Sequence, residues 1–93
     1  MALQFEWDER KARSNLVKHS VSFEEASTAF GDPNSLTIAD PVHSEEEDRF
    51  ILLGQTYRGK LVVVIHTERG KNIRIISARL ATRRERQTYE ANF

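Results

Sequence analysis

Residues 74–79 read Arg-Ile-Ile-Ser-Ala-Arg, and the way this stretch pairs with the run before it decides the fold. That run, Leu61-Val62-Val63-Val64-Ile65, is apolar throughout, the composition of a strand covered on both faces and therefore central to its sheet. Arg69-Gly70 offers a two-residue turn between the two segments. Pairing Glu68 with Lys71 across it sets His66 beside Ile73, Val64 beside Ile75, Val62 beside Ser77 and Lys60 beside Arg79. On this register Lys60, Ser77 and Arg79 form the polar end of one face, and Arg74 lies on the other face beside Ile65. A one-residue bulge swaps the sides, because side chains alternate along a strand.

Working outward, Arg49 to Gln55 alternates as a preceding strand, and Tyr57-Arg58-Gly59-Lys60 turns it into the central hairpin. Ser35 to Ala39 is a further short strand, entered through the turn residues Gly31-Asp32-Pro33-Asn34. Leu3-Gln4-Phe5-Glu6-Trp7 alternates as an N-terminal strand. Asp8 then caps a short helix from Glu9 to about Lys18, with Ala12 and Leu16 as its narrow apolar stripe. Ser22-Phe23-Glu24-Glu25 has the form of a capping box for a second helix, which aligns Phe23, Ala26 and Phe30. Thr82-Arg83-Arg84-Glu85 is a second box, opening a last helix that runs to about Ala91. The order predicts one α+β domain over residues 1–93. Its antiparallel sheet has four to five strands, two N-terminal helices packed on one face, and a C-terminal helix.

The 93 residues contain no cysteine, which removes disulfide and thiolate chemistry. No apolar run reaches membrane-span length and the N-terminus lacks the pattern of a signal peptide, so a soluble, cytoplasmic protein is expected. The net charge of zero hides an asymmetry of −7 over residues 1–48 and +7 over residues 49–93. A basic half can face a polyanion, or the two halves can neutralise each other on folding. His43-Ser44-Glu45-Glu46-Glu47-Asp48 concentrates ligand-type residues, but consecutive acids in a loop point in different directions and no second His stands at ligand spacing. Neither a metal site nor a cofactor is expected.

The blocks Phe5 to Ala26 (FEWDERKARSNLVKHSVSFEEA), Asp32-Pro33, His43 followed by Asp48-Arg49-Phe50, Gly54-Gln55-Thr56, and Arg74 to Arg86 (RIISARLATRRER) with Tyr89 resemble the BrnT family of type II toxins, in that family's order. The resemblance implies a RelE/ParE-like fold and ribonuclease activity that blocks translation. It also implies neutralisation by a small BrnA-type antitoxin whose dimer binds operator DNA. Two positions depart from the family pattern. Ser20 stands where Gly is usual after Lys-His, and Asp48 replaces a Glu before Arg49.

Metal-free cleavage of RNA needs a base for the ribose 2′-OH, an acid for the leaving oxygen and cations for the phosphorane charge. Arginine suits the last role, because its planar fork matches two phosphate oxygens. Arg74 and Arg79 are the candidate catalytic cations, with His66 and Tyr89 as the titrating groups. Arg79 is expected at the reacting phosphate, assisted by Arg74. Arg49, Lys60, Arg83 and Arg84 are candidate RNA-backbone contacts, and Trp7 is a candidate for base stacking. Two other readings stay open: a protein poison of this fold acting on a target such as gyrase, and a non-catalytic RNA- or DNA-binding module.

Overall fold

A computed structural model describes residues 3–41 and 48–92. Its elements are β1 (Gln4–Glu6), α1 (Glu9–His19), α2 (Phe23–Thr28) with a 3-10 turn at Ala29–Gly31, β2 (Leu36–Ala39), β3 (Arg49–Gln55), β4 (Leu61–Arg69), β5 (Asn72–Leu80) and α3 (Arg83–Glu90). The sheet order is β1-β5-β4-β3-β2. β2 to β5 are antiparallel neighbours, whereas β1 pairs parallel to β5 through Gln4, Phe5 and Glu6. The expected antiparallel sheet is thus a mixed one, because two helices lie between β1 and the strands that follow it.

The apolar run at 61–65 is covered on both sides, as its composition requires. On one face Val62, Val64, Leu52, Ile75 and Ala78 pack against Val21, Phe23, Ala26 and Ala29 of the α1–α2 layer. On the other, Leu61, Val63 and Leu53 pack with Tyr89 of α3. Phe23, Val62, Val64 and Ile75 are almost wholly excluded from water, each stabilising the fold by roughly 1.5–3 kcal/mol relative to an exposed side chain.

The central hairpin departs from the expected register. Arg69 pairs with Asn72, so the turn is Gly70-Lys71 instead of Arg69-Gly70. Two-residue hairpin turns need a left-handed first residue, and Gly70 takes that role at φ 59° where Arg69 would be strained. Further along, His66 pairs with Ile75 but Ile65 pairs with Ser77, which leaves Ile76 as an extra residue in β5. Arg79 consequently lies opposite Val63, not Lys60. Lys60 turns to the helix face, 3.8 Å from Glu25.

β1 covers only the first part of β5, and α1 crosses the remainder. There Asn15, buried in a helix of otherwise mostly exposed residues, donates from Nδ2 to the carbonyls of Ala78 (2.8 Å) and Val21 (3.0 Å), and accepts from the Ala78 N–H at 3.1 Å. One carboxamide therefore satisfies both outward backbone groups of a strand residue and ties the α1–α2 corner to it. Leu16, expected in the apolar stripe, is half exposed. Between the helices Ser20 adopts the left-handed conformation at φ 59°, its N–H closing α1 onto Leu16. At this position a serine costs on the order of 1 kcal/mol relative to glycine. In α2, Ser22 accepts from Glu25 N–H as expected of the box, but the Glu25 carboxylate goes to the Thr56 hydroxyl at 2.9 Å.

Replacing Asn15 by Ala leaves buried backbone groups without partners, at roughly 1–3 kcal/mol each. Asn15→Ala is expected to lower unfolding free energy by about 3 kcal/mol in denaturant titrations. Asn15→Asp is expected to be no milder at neutral pH, since a carboxylate cannot donate to the two carbonyls. A loss below about 0.5 kcal/mol in both variants, the level of an ordinary surface substitution, would show that the carboxamide is not an anchor.

Candidate nucleic-acid interface

Alternation along the strands assigns each side chain to a face. Arg49, Ile51 and Leu53 of β3 lie directly opposite Thr67, Ile65 and Val63 of β4, and those lie opposite Arg74, Ser77 and Arg79 of β5. Without Ile76, Arg74 would fall on the opposite face from Ser77 and Arg79. With it, all three join Arg49 on the side away from α1 and α2. The face then has three rows: Glu6–Arg74–Thr67–Arg49, next Ser77–Ile65–Ile51–Ile38, and last Arg79–Val63–Leu53–Leu36. α3 lies over the third row, through Tyr89. Ile38 at the end of the middle row is 62% exposed.

Each of the two β5 arginines is held by a carboxylate. Arg79 makes a two-pronged pair with Glu85, Nη1 to Oε1 at 2.8 Å and Nη2 to Oε2 at 2.9 Å. Glu85 also accepts from Thr82 N–H at 2.8 Å, completing the capping box at the start of α3. The Arg79 bonds, helped by Thr82 and outweighing the cost of burial, hold the Glu85 carboxyl down at about 2. Arg74 is bonded through Nη1 to Glu6 Oε2 at 2.9 Å, and Asn72 donates to Glu6 Oε1 at 3.2 Å. The Asn72 and Arg74 bonds together keep Glu6 below the usual carboxylate range. Arg49 and Arg74 are two strands apart, on the order of 10 Å between Cα atoms, and can converge on one phosphate above Thr67. Arg74 and Arg79 stand on the order of 15 Å apart along the strand, too far to meet one phosphate together.

The other expected site residues are distributed differently. His66 is buried on the helix face, edge-on to Phe30 and stacked on Phe50. Burial lowers its pKa, which keeps the imidazole neutral. Tyr89 is buried, and its hydroxyl donates to Asp32 Oδ2. Burial and the Asp32 carboxylate push the phenol up to about 12, which suits a fixed hydrogen-bond donor tying α3 to the turn before β2. Trp7 packs edge-on against Phe23 on the helix side, with its Nε1 donating to Glu9. Arg83 and Arg84 are exposed on the first turn of α3. The acidic run from His43 lies outside the described residues apart from Asp48. Among the described residues, no three His, Asp or Glu side chains are placed to hold a metal ion. Glu6 and Glu85 were absent from the sequence-derived site. The cue for Glu85 was available, since a capping glutamate six residues after Arg79 is within reach of a strand-end guanidinium. Glu6 had no local cue, because it meets Arg74 through the parallel β1–β5 pairing.

A family model described as the ribonuclease toxin BrnT of type II toxin-antitoxin systems matches residues 7–85. The fold is similar to that of the Brucella abortus ribonuclease toxin BrnT in its 1.1 Å crystal structure. The TM-score is 0.64, with 21% sequence identity, covering 88% of this chain and 100% of that one. At that identity the likeness speaks for the fold. No protein of curated function matches the sequence.

The Arg79–Glu85 pair has a definite pH signature. Glu85 titrates near 4.5 when unfolded and at about 2 in the fold. The pair's contribution is therefore complete above pH 4.5 and is lost as pH falls toward 2. Because Arg79 is 42% exposed, solvent screening limits that contribution to about 1 kcal/mol. Glu85→Gln is expected to be less stable than the parent by that amount at pH 7 and equal to it near pH 2, read from denaturant titrations at both. A difference that is the same at both pH values would assign the loss to packing.

Proposed function

Since the chain belongs to the BrnT family of ribonuclease toxins of type II toxin-antitoxin systems, we propose that it is a metal-independent endoribonuclease whose arginine face grips the RNA backbone. The observation that carries this reading is the extra residue Ile76, which brings Arg74 and Arg79 onto the same face as Arg49. Arg74 uses Nη1 for Glu6, so the rest of its fork can meet a phosphate. Arg79 has both terminal nitrogens on Glu85. This reverses the expected roles. Arg74, with Arg49 across Thr67, steadies the charge of the reacting phosphate, while Arg79 and the exposed Arg83 and Arg84 hold the backbone beyond it. Preorganised donors of this kind act most strongly where charge develops in the transition state.

Masking follows the same chemistry. A type II toxin is paired with an antitoxin, and on this reading the partner is of the BrnA type and covers the arginine face with an acidic segment. The partly exposed isoleucine row and its arginine border offer such a segment apolar and cationic contacts at once. RNA binding and antitoxin binding are then mutually exclusive. The cytoplasm is the compartment where both partners meet. Binding of operator DNA belongs to the antitoxin's dimer, and translation is blocked through loss of RNA.

Purified protein is expected to cleave long RNA at an undiminished rate in millimolar EDTA. Loss of activity in chelator, restored by Mg²⁺ or Mn²⁺, would overturn the arginine-based mechanism. Arg74→Ala is expected to lower kcat by roughly 10²–10³. Arg74→Lys is expected to recover little of this, because it keeps the charge and loses the fork. Arg79→Ala is expected to act mainly on KM. If Arg79→Ala lowers kcat and Arg74→Ala does not, the two roles are the other way round.

A further inference from the structure

We propose that the Glu6 carboxylate is the general base that takes the proton from the ribose 2′-OH, an assignment that rests on the ribonuclease reading. Of the two groups expected to titrate in the reaction, His66 is buried on the opposite, helix face, and Tyr89 is buried beneath α3 with its hydroxyl donated to Asp32. Two carboxylates are tied to the β5 arginines. Glu85 accepts three bonds, from both terminal nitrogens of Arg79 and from Thr82 N–H, so most of its acceptor capacity is committed to the clamp that closes the start of α3. Glu6 accepts one bond on each oxygen, from Asn72 and Arg74, and its side chain is 32% exposed. A carboxylate has about four lone-pair sites, so Glu6 retains acceptor positions on the solvent side. It sits at the end of the Arg74–Thr67–Arg49 row, where a phosphate held by the arginines has its neighbouring ribose within reach.

The groups around Glu6 also respond to substrate. Asn72 and Arg74 of β5, and Arg69 at the end of β4, all favour its charged form. A phosphodiester bound to Arg74 adds a negative charge beside the carboxylate, competes for the guanidinium and excludes water. Each of these raises a carboxyl pKa. The base is therefore stronger in the complex than in the free enzyme. In the step itself Glu6 takes the 2′-hydroxyl proton as the 2′-oxygen bonds to phosphorus. The bond from phosphorus to the 5′-oxygen breaks, and that oxygen takes a proton from a water molecule. The hydroxide so formed recovers the proton from Glu6. The products are a 2′,3′-cyclic phosphate and a 5′-hydroxyl, with no net uptake of water.

The test compares wild type and Glu6→Gln on one RNA oligonucleotide, with rates measured from pH 5 to 8 and affinity measured with the fully 2′-O-methylated form, which cannot be cleaved. Glutamine keeps the shape and an acceptor for Arg74 but cannot take the proton. The expected result is a kcat lower by roughly 10²–10⁴ with affinity for the methylated RNA unchanged. In the wild type, kcat/KM should be flat across the range, and any fall in kcat on its acid side should begin at higher pH than for kcat/KM. A Glu6→Gln kcat within about threefold of wild type would overturn the assignment. So would a wild-type kcat/KM that falls about tenfold between pH 6 and 5, the mark of a base with a near-neutral pKa; this readout does not depend on the folding of the variant. A wild type that cleaves no RNA would remove the ribonuclease reading itself, which separates the two failures.

Discussion

One extra residue in β5 is the constraint on which the site depends. Side chains alternate along a strand, so two arginines at positions 74 and 79 belong to opposite faces of any regular strand. Ile76 breaks the alternation once. Bulges persist where the surrounding structure fixes register on both sides of them, and this one is so fixed. Before it, β1 pairs with Asn72, Ile73 and Arg74. After it, Asn15 holds both outward backbone groups of Ala78. The same contacts that cover the outer edge of β5 therefore set which way its arginines point.

The cations on this face are not simply an excess of positive charge. Arg74 and Arg79 each meet a carboxylate, one from β1 and one from α3; the first pair joins the acidic N-terminal half to the basic C-terminal half, and the second lies within the C-terminal half. The two pairs differ in kind. Arg79 with Glu85 is a two-pronged clamp that also closes the start of α3, and it orients the helix over the third row of the face. Arg74 with Glu6 is a single contact at the open end of the sheet, leaving donors and acceptors unused on both partners. A bound phosphate can enter the second pair at little structural cost, whereas entering the first means loosening α3. That difference, more than the count of arginines, is what points to the Glu6–Arg74 end as the place of reaction.

Local signals made most of the elements legible in the sequence. Asp8, Ser22 and Thr82 cap their helices as their spacing predicts, and β3 spans the alternating segment from Arg49 to Gln55. The C-terminal capping box forms in full. What could not be read was long-range. Nothing near Glu6 announces a parallel pairing with β5, and a lone asparagine on a charged helix has no feature that marks it as an anchor to Ala78. The hairpin register failed on a local point, because the turn needs its glycine first, and then again at Ile76, whose place as the extra residue is decided by contacts on both sides of the strand. His66 and Tyr89 look like reactive groups in sequence, but Phe30 and Phe50 enclose the one, and Leu53, Leu61 and Val63 of the sheet pack against the other. Glu25 shows the same limit on a smaller scale, since its carboxylate prefers Thr56 to its own helix start.

The central claim, that RNA lies across the face assembled by the Ile76 bulge, can be tested most directly by a nuclear magnetic resonance titration of the protein with a fully 2′-O-methylated RNA oligonucleotide. The account predicts that the Nε–Hε signals of Arg49 and Arg74, the amide of Ser77 and the methyls of Ile51 and Ile65 shift together as RNA is added. The indole of Trp7 and the ring protons of Phe23, on the helix side, should stay in place. Shifts confined to Trp7, α1 and α2, with the arginine and isoleucine signals unmoved, would contradict it.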